Sequence, residues 1–97
     1  MKKYEVAVVA SGKLTDEERA AVIEQIKGYI TKYNGTVTDV EEWGKRRLTY
    51  EIRKEIEGYY YFIQVEAEPE MAVALEKDLR IMTENVLRYL IVLADEQ

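Results

Sequence analysis

Two helical segments, each with a single apolar stripe, alternate with strand-like segments in this chain. The first helix is predicted to run from Thr15 to Tyr33, because Thr15 and Glu18 have the spacing of a capping box and an Asn-Gly stop follows. The second is predicted to begin at Pro69, since proline is favoured at the first helical position. A helix with one apolar stripe must bury it against another layer, so both helices are expected on one face of a sheet.

Four strands are predicted from runs of β-branched and aromatic residues with alternating polarity. They cover Tyr4–Ala10, Thr36–Trp43 with a continuation through Leu48, Tyr50 and Ile52, Tyr59–Ala67, and Asn85–Val92. The element order and the right-handed crossover rule predict an α+β, ferredoxin-like β-α-β-β-α-β fold. Its four-stranded antiparallel sheet has the order 4-1-3-2, with the two helices on one face. One such domain is expected to span residues 1–97.

Three places interrupt the strand pattern. The spacing of Val37 and Val40 breaks the alternation and predicts a bulge, and Gly44 interrupts the second strand. Arg53–Gly58 is predicted to be a polar turn that joins the second and third strands in a long hairpin. In the last strand, Leu87, Tyr89 and Ile91 are expected on one face, opposite Arg88, Leu90 and Val92.

The composition excludes most catalytic chemistry. The chain has no histidine and no cysteine, which removes disulfides, thiol nucleophiles, zinc-finger ligand sets and Ser-His-Asp triads. There is no glycine-rich phosphate loop. We therefore expect no enzymatic activity, no cofactor, no metal and no small-molecule substrate. No apolar run approaches the roughly 20 residues of a membrane span, and no signal-peptide pattern follows Met1, so a cytoplasmic protein without membrane contact is expected.

Basic residues cluster in one part of an otherwise acidic chain. The net charge is −5, yet five cations against Glu51 give residues 45–54 a charge of +4. Such segregation can create a positive surface on an acidic protein. Consecutive cations beside an aromatic residue are typical of contact with an RNA backbone. The spacing of these residues is equally compatible with a solvated edge strand whose charges prevent aggregation. The RNA-binding candidates are Lys2, Lys3, Trp43, Lys45, Arg46, Arg47 and Arg88.

The helix-free face of the sheet is predicted to carry an apolar patch. If Tyr61, Ile63 and Val65 face the helices, then Tyr60, Phe62 and Gln64 face the other side, beside Val9, Leu90 and Val92 of neighbouring strands. A patch of this size indicates a partner. The candidate partner-protein residues are Tyr60, Phe62, Leu90 and Val92. Two alternatives stay open here, a core strand with aromatic residues on both sides and an RNA-stacking platform.

Several motifs resemble one known family. The segment Val40–Ile52 is similar to the most characteristic part of the bacterial small-subunit ribosomal protein six family, Trp-Gly-x-Arg-Arg-Leu-x-Tyr-x-Ile. Lys3–Val6, Gly58-Tyr59 and Val86–Tyr89 resemble its other landmarks. The resemblance implies a non-enzymatic structural protein of the small ribosomal subunit. It also implies cooperative binding to small-subunit ribosomal RNA as a heterodimer with small-subunit protein eighteen.

Two departures from that family and one rival interpretation accompany the resemblance. Glu51 stands where relatives often have proline, and Arg80–Asn85 is one residue longer than expected before the last strand. The rival is a homodimeric ferredoxin-like module that pairs its sheet faces around a small metabolite. That interpretation explains an apolar face equally well but leaves the basic segment without a role.

Overall fold

Two helices cover one face of a four-stranded antiparallel sheet. The computed structural model describes residues 1–94. Its elements are β1 (Lys2–Ser11), α1 (Asp16–Lys32), β2 (Thr36–Ile52), β3 (Glu55–Ala67), α2 (Pro69–Arg80) and β4 (Val86–Leu93). The strand order is β2-β3-β1-β4, which is the predicted order 4-1-3-2 counted from the other edge. The predicted ferredoxin-like fold is confirmed.

The main core lies between the sheet and the helices. Alternate residues of the two central strands point into it, where apolar side chains of both helices meet them. Its fully buried members include Val6, Val8, Ile26, Ile30, Ile63, Val65, Leu75 and Leu79. Tyr61 is also buried in this core, whereas Tyr60 and Phe62 are only half-buried. The predicted alternation along β3 is therefore confirmed.

Both ends of α1 follow the sequence signals. At the start, the Glu18 amide donates to the Thr15 hydroxyl (3.1 Å), and the Thr15 amide donates to the Glu18 carboxylate (2.8 Å). At the end, Asn34 adopts φ 67°, and the Gly35 amide donates to the Ile30 carbonyl at 2.8 Å. A Cβ on Gly35 would lie 2.7 Å from Ile30 Cγ2, so the close approach requires glycine.

The β2–β3 hairpin is longer and its turn shorter than predicted. β3 begins at Glu55, so the expected polar turn over Arg53–Gly58 is wrong. The turn consists of Arg53 and Lys54, with φ values of 50° and 66°, as in the tight turns that match strand twist. Arg47 pairs with Glu57, whereas Ile52 pairs with Glu55. Residues 48–51 of β2 therefore face only residue 56 of β3, and this part of β2 arches out of the ladder.

Two further irregularities lie in β2. The predicted bulge is confirmed, because the pairing register shifts between Val37 and Asp39. A second shift falls between Glu42 and Gly44, where Gly44 has φ 80°. The strand continues through this bulge, so Gly44 changes the direction of the neighbouring side chains but does not end β2.

The start of β4 departs from the predicted alternation. Leu87 was expected on the same face as Tyr89, and this is wrong. A register shift between Val9 and Ala10 leaves Leu87 without a paired residue in β1. Its side chain packs against Val9 and Leu48 in a second apolar cluster, apart from the main core.

Candidate nucleic-acid and partner-protein interface

The sheet face opposite the helices, called the open face below, is built by alternate residues of three strands. They are Glu5, Ala7 and Val9 of β1, Tyr60, Phe62 and Gln64 of β3, and Arg88, Leu90 and Val92 of β4. Ala7 pairs with both Phe62 and Leu90, so the apolar side chains lie side by side across the strands. Strand alternation thus brings the four predicted partner-protein residues onto one surface.

One end of the open face is covered by the chain itself. Val9 (8% exposed), Leu48 (8%) and Leu87 (7%) form the second apolar cluster, with Ile52 and Tyr60 packed against it. The arched part of β2 supplies Leu48 and Ile52. The prediction that Val9 belongs to an exposed patch is therefore wrong. Tyr60 keeps only part of its surface for a partner.

Two side chains hold the hairpin tip over this end. The Arg53 guanidinium donates to the Val86 carbonyl of β4 at 2.9 Å. On the other side of the tip, the Glu55 carboxylate accepts from the Ser11 hydroxyl (2.9 Å) and the Gly12 amide (3.0 Å). Arg53, which contributes to the basic charge of this segment, is thus used inside the molecule. Sequence reasoning had no signal for this contact, because it joins residues 33 positions apart.

The other part of the open face is apolar and exposed. Leu90 is 60% exposed and Val92 37% exposed, and Phe62 is half-buried beside them. A pocket of about 180 Å³ lies in this surface, with Ala7, Phe62 and Leu90 in its lining. Large apolar side chains left in solvent at neighbouring positions are characteristic of an interaction surface.

An arginine and a tryptophan border the apolar surface on the β2 side. The bulge at Gly44 directs Trp43 onto Phe62, with ring centroids 4.7 Å apart. The Arg46 guanidinium carbon lies 5.2 Å from the centre of the Trp43 ring, and its Nε donates to the Trp43 carbonyl at 3.2 Å. Trp43 remains 48% exposed. A cation above an exposed indole can bind a phosphate and a base or sugar together.

A second cation–aromatic pair lies near the β4 side. The arch of β2 carries Tyr50, which is 62% exposed, and the guanidinium carbon of Arg88 lies 6.0 Å from its ring centre. Sequence reasoning selected Arg88 but not Tyr50. The contact depends on the irregular register of residues 48–51, which strand alternation does not reveal. Arg88 thus lies on the same face as the predicted partner-protein residues.

The remaining cationic candidates lie elsewhere. Lys45 is on the opposite side of β2 from Arg46, where its Nζ lies 3.8 Å from the Glu57 carboxylate. Arg47 is exposed and takes part in none of the ion pairs within residues 1–94. Lys2 and Lys3 begin β1, at the far end of the sheet. Because β1 spans 10 residues, at about 3.3 Å per residue they lie roughly 25 to 30 Å from the hairpin cations and do not converge with them.

The described part of the chain offers neither a metal site nor a membrane-spanning helix. Within residues 1–94, no group of three or more acidic, histidine or cysteine side chains is arranged to hold a metal ion. None of the helices in that range has the length and apolar character needed to cross a membrane.

Fold and surface together define a ferredoxin-like α+β protein that presents an apolar sheet face bordered by cation–aromatic pairs. The family described as "Ribosomal protein S6" matches residues 3–93 of this chain. The chain therefore belongs to the ribosomal protein S6 family, whose members are proteins of the small ribosomal subunit. This assignment confirms the resemblance found in the sequence and, with it, the expected place of the protein in the cytoplasmic ribosome.

Individual relatives agree with the family assignment. "Small ribosomal subunit protein bS6" of Caldanaerobacter subterraneus is 43% identical over 96 residues, which cover 99% of this chain and 100% of the relative. The protein of the same name from Clostridium perfringens is 46% identical over 92 residues, covering 95% and 96%. The crystal structure of 30S ribosomal protein S6 from Thermotoga maritima superimposes with a TM-score of 0.88 at 28% identity, covering 95% of this chain and 86% of that one. These relatives are named as ribosomal proteins and not as enzymes.

Proposed function

We propose that this S6 family member is a non-catalytic component of the small subunit that binds small-subunit ribosomal RNA cooperatively, as a heterodimer with small-subunit protein eighteen. The observation that carries the proposal is the open face. Leu90 is 60% exposed beside Phe62, and arginines border this apolar surface on two sides. A surface that is both apolar and cationic suits an assembly in which protein and RNA are bound together.

The RNA contacts are assigned to the cationic residues. Arg46 and Arg88 lie beside exposed aromatic rings, and Arg47 is exposed without an ion pair among residues 1–94. Guanidinium groups bind phosphate oxygens in a bidentate manner, and the neighbouring rings can stack on bases or sugars. The full proposed RNA set is Lys2, Lys3, Trp43, Lys45, Arg46, Arg47 and Arg88. Lys2 and Lys3 would form a separate contact because of their distance from the others.

The protein partner is assigned to the apolar part of the open face. Phe62, Leu90 and Val92 provide the exposed area, and Tyr60 contributes its uncovered edge. Burying such side chains contributes about 25 cal/mol per Å² of apolar surface removed from water. The net charge of −5 opposes RNA binding by the isolated chain. We therefore expect weak RNA binding alone and strong binding once the partner is present.

The salt dependence of RNA binding tests this proposal. The affinity of the chain with protein eighteen for a ribosomal RNA fragment is measured from low to high salt, for the wild type and for Arg46→Ala/Arg47→Ala. Each lost phosphate contact lowers the slope of log affinity against log salt by about 0.7 to 0.9, so the double variant is expected to lower it by about 1.5. Lys32→Ala/Lys77→Ala is the control, because it removes the same charge from the helix layer.

Two outcomes contradict the proposal. An unchanged slope in the arginine variant removes that pair from the RNA interface. A wild-type chain that binds neither protein eighteen nor RNA, and that forms a stable homodimer in a sizing experiment, supports the ligand-binding module instead.

A further inference from the structure

Charges on the open face are unevenly distributed along the strands, with one carboxylate in the middle. This is Glu41, which lies opposite Phe62 and accepts a hydrogen bond from the Trp43 indole at 3.0 Å. The positive end holds Arg46 and Arg88, next to the covered cluster. Four residues further along β3, Gln64 pairs with Glu5 of β1 on one side and Asp39 of β2 on the other. At about 3.3 Å per residue the carboxylates lie roughly 13 Å along the strands from Arg88, which is level with Tyr60, and roughly 20 Å from Arg46, which pairs with Gly58. The exposed apolar surface lies between the two ends.

By strand alternation the negative end holds three carboxylates, those of Glu5, Asp39 and Glu66, against one cation on the same face, Lys3. Glu5 accepts a hydrogen bond from the Gln64 amide at 2.9 Å, and Asp39 is exposed. Neither residue belongs to any of the ion pairs formed among residues 1–94. Half-buried Glu5 points from the same face as Ala7, so a molecule that covers the apolar surface also meets this carboxylate.

We infer that the carboxylates at the negative end of the open face dock basic side chains of the partner protein, while Arg46 and Arg88 at the positive end carry the main RNA contact, apart from the separate one assigned to Lys2 and Lys3. The inference rests on the proposed function and adds the orientation of the partner. RNA phosphates are repelled by Glu5 and Asp39 but attracted by Arg46 and Arg88. A protein segment with apolar side chains followed by lysine or arginine matches both the apolar surface and the carboxylates. Complementary charges of this kind set the register and raise the association rate.

The first experiment neutralises the two carboxylates. Glu5→Gln/Asp39→Asn is compared with Glu17→Gln/Glu84→Gln, which changes the net charge equally at exposed positions outside the open face. The probe is purified small-subunit protein eighteen of Clostridium perfringens, whose own S6 protein is 46% identical to this chain. The test variant is expected to raise Kd by about tenfold and to weaken its salt dependence, and the control by less than about threefold. The slope of RNA binding with salt is expected to stay unchanged in both variants.

The second experiment locates the contact directly. A carbodiimide joins a carboxylate to a lysine amine only when the two are in contact, so mass spectrometry of the cross-linked complex is expected to find Glu5 or Asp39 joined to the partner. Thermal unfolding verifies that the variants fold. If the wild type binds protein eighteen and the test variant binds as tightly as the control, the inference is overturned and the proposed function stands. If the wild type does not bind protein eighteen at all, the proposed function itself fails.

Discussion

Two leucines of β4 separate the stabilising part of the open face from its binding part. Leu87 is 7% exposed in the second apolar cluster, whereas Leu90 is 60% exposed on the apolar surface. Truncation of a buried leucine to alanine costs about 2 to 5 kcal/mol. The cluster has three buried members and two partly buried ones, so its surroundings can relax. We therefore expect Leu87→Ala to lower the free energy of unfolding by about 2 to 3 kcal/mol.

The same reasoning gives a small stability effect for Leu90. More than half of its side chain is already in solvent, so Leu90→Ala is expected to cost less than about 1 kcal/mol. In a chain of this size 1 kcal/mol shifts the midpoint of thermal unfolding by about 4 to 8 °C. The Leu87 variant is thus expected to melt roughly 10 to 20 °C below the wild type, and the Leu90 variant within a few degrees of it.

Urea unfolding with circular dichroism measures both free energies, and titration with protein eighteen below the melting temperature measures binding. Leu90→Ala is expected to weaken partner binding, and Leu87→Ala to leave it nearly unchanged while the variant is folded. Equal losses of stability in the two variants would refute the division. A stable Leu87→Ala variant would show that the second cluster contributes little to folding.

The hairpin tip, and the hydrogen bond that the Tyr89 hydroxyl of β4 donates to the Glu76 carboxylate of α2 at 2.7 Å, give three further predictions. Lys54→Gly is expected to raise the free energy of unfolding by about 1 kcal/mol, because a non-glycine residue at φ 66° is strained; an unchanged urea midpoint contradicts this. Arg53→Ala is expected to lower the free energy of unfolding by about 1 kcal/mol, because the hydrogen bond to the Val86 carbonyl of β4 is lost. An unchanged free energy of unfolding would show that this hydrogen bond does not stabilise the fold. Hydrogen bonds from Arg80 and then Tyr89 hold the pKa of Glu76 below its usual value. Since the folded-state pKa is the lower one, this stabilisation is present above the unfolded pKa and is lost as pH falls through the folded value. The stability difference between wild type and Glu76→Gln is therefore expected to shrink between pH 6 and pH 3, and a constant difference would exclude a role of this carboxylate.

Local patterns in the sequence were sufficient for the elements and their order. The capping box at Thr15, the Asn34 stop and the alternation along β3 depend on residues a few positions apart, and the structure has all three. The assignment of Phe62 and Leu90 to one surface follows from the same alternation, because both strands pair with β1 at Ala7.

Contacts that depend on pairing register could not be predicted. Leu87 turns to the open face because of a shift between β1 and β4, and Tyr50 reaches Arg88 because of the arch in β2. A shift by one residue reverses the face of every side chain beyond it, and no neighbour in the sequence reports it. For the same reason, the internal use of Arg53 is not visible from the basic composition of its segment.

The charge separation on the open face gives the expected cooperativity a physical cause. Along the strands Glu5 and Asp39 lie roughly 13 Å from Arg88 and roughly 20 Å from Arg46. The shorter distance is little more than the screening length of about 8 to 10 Å at physiological salt. RNA at the positive end is therefore weakly repelled by the carboxylates while they are exposed. A partner that pairs them with basic side chains removes this repulsion. By linkage, RNA bound first must strengthen partner binding by the same factor, so the coupling between the two ligands is expected to decrease in Glu5→Gln/Asp39→Asn.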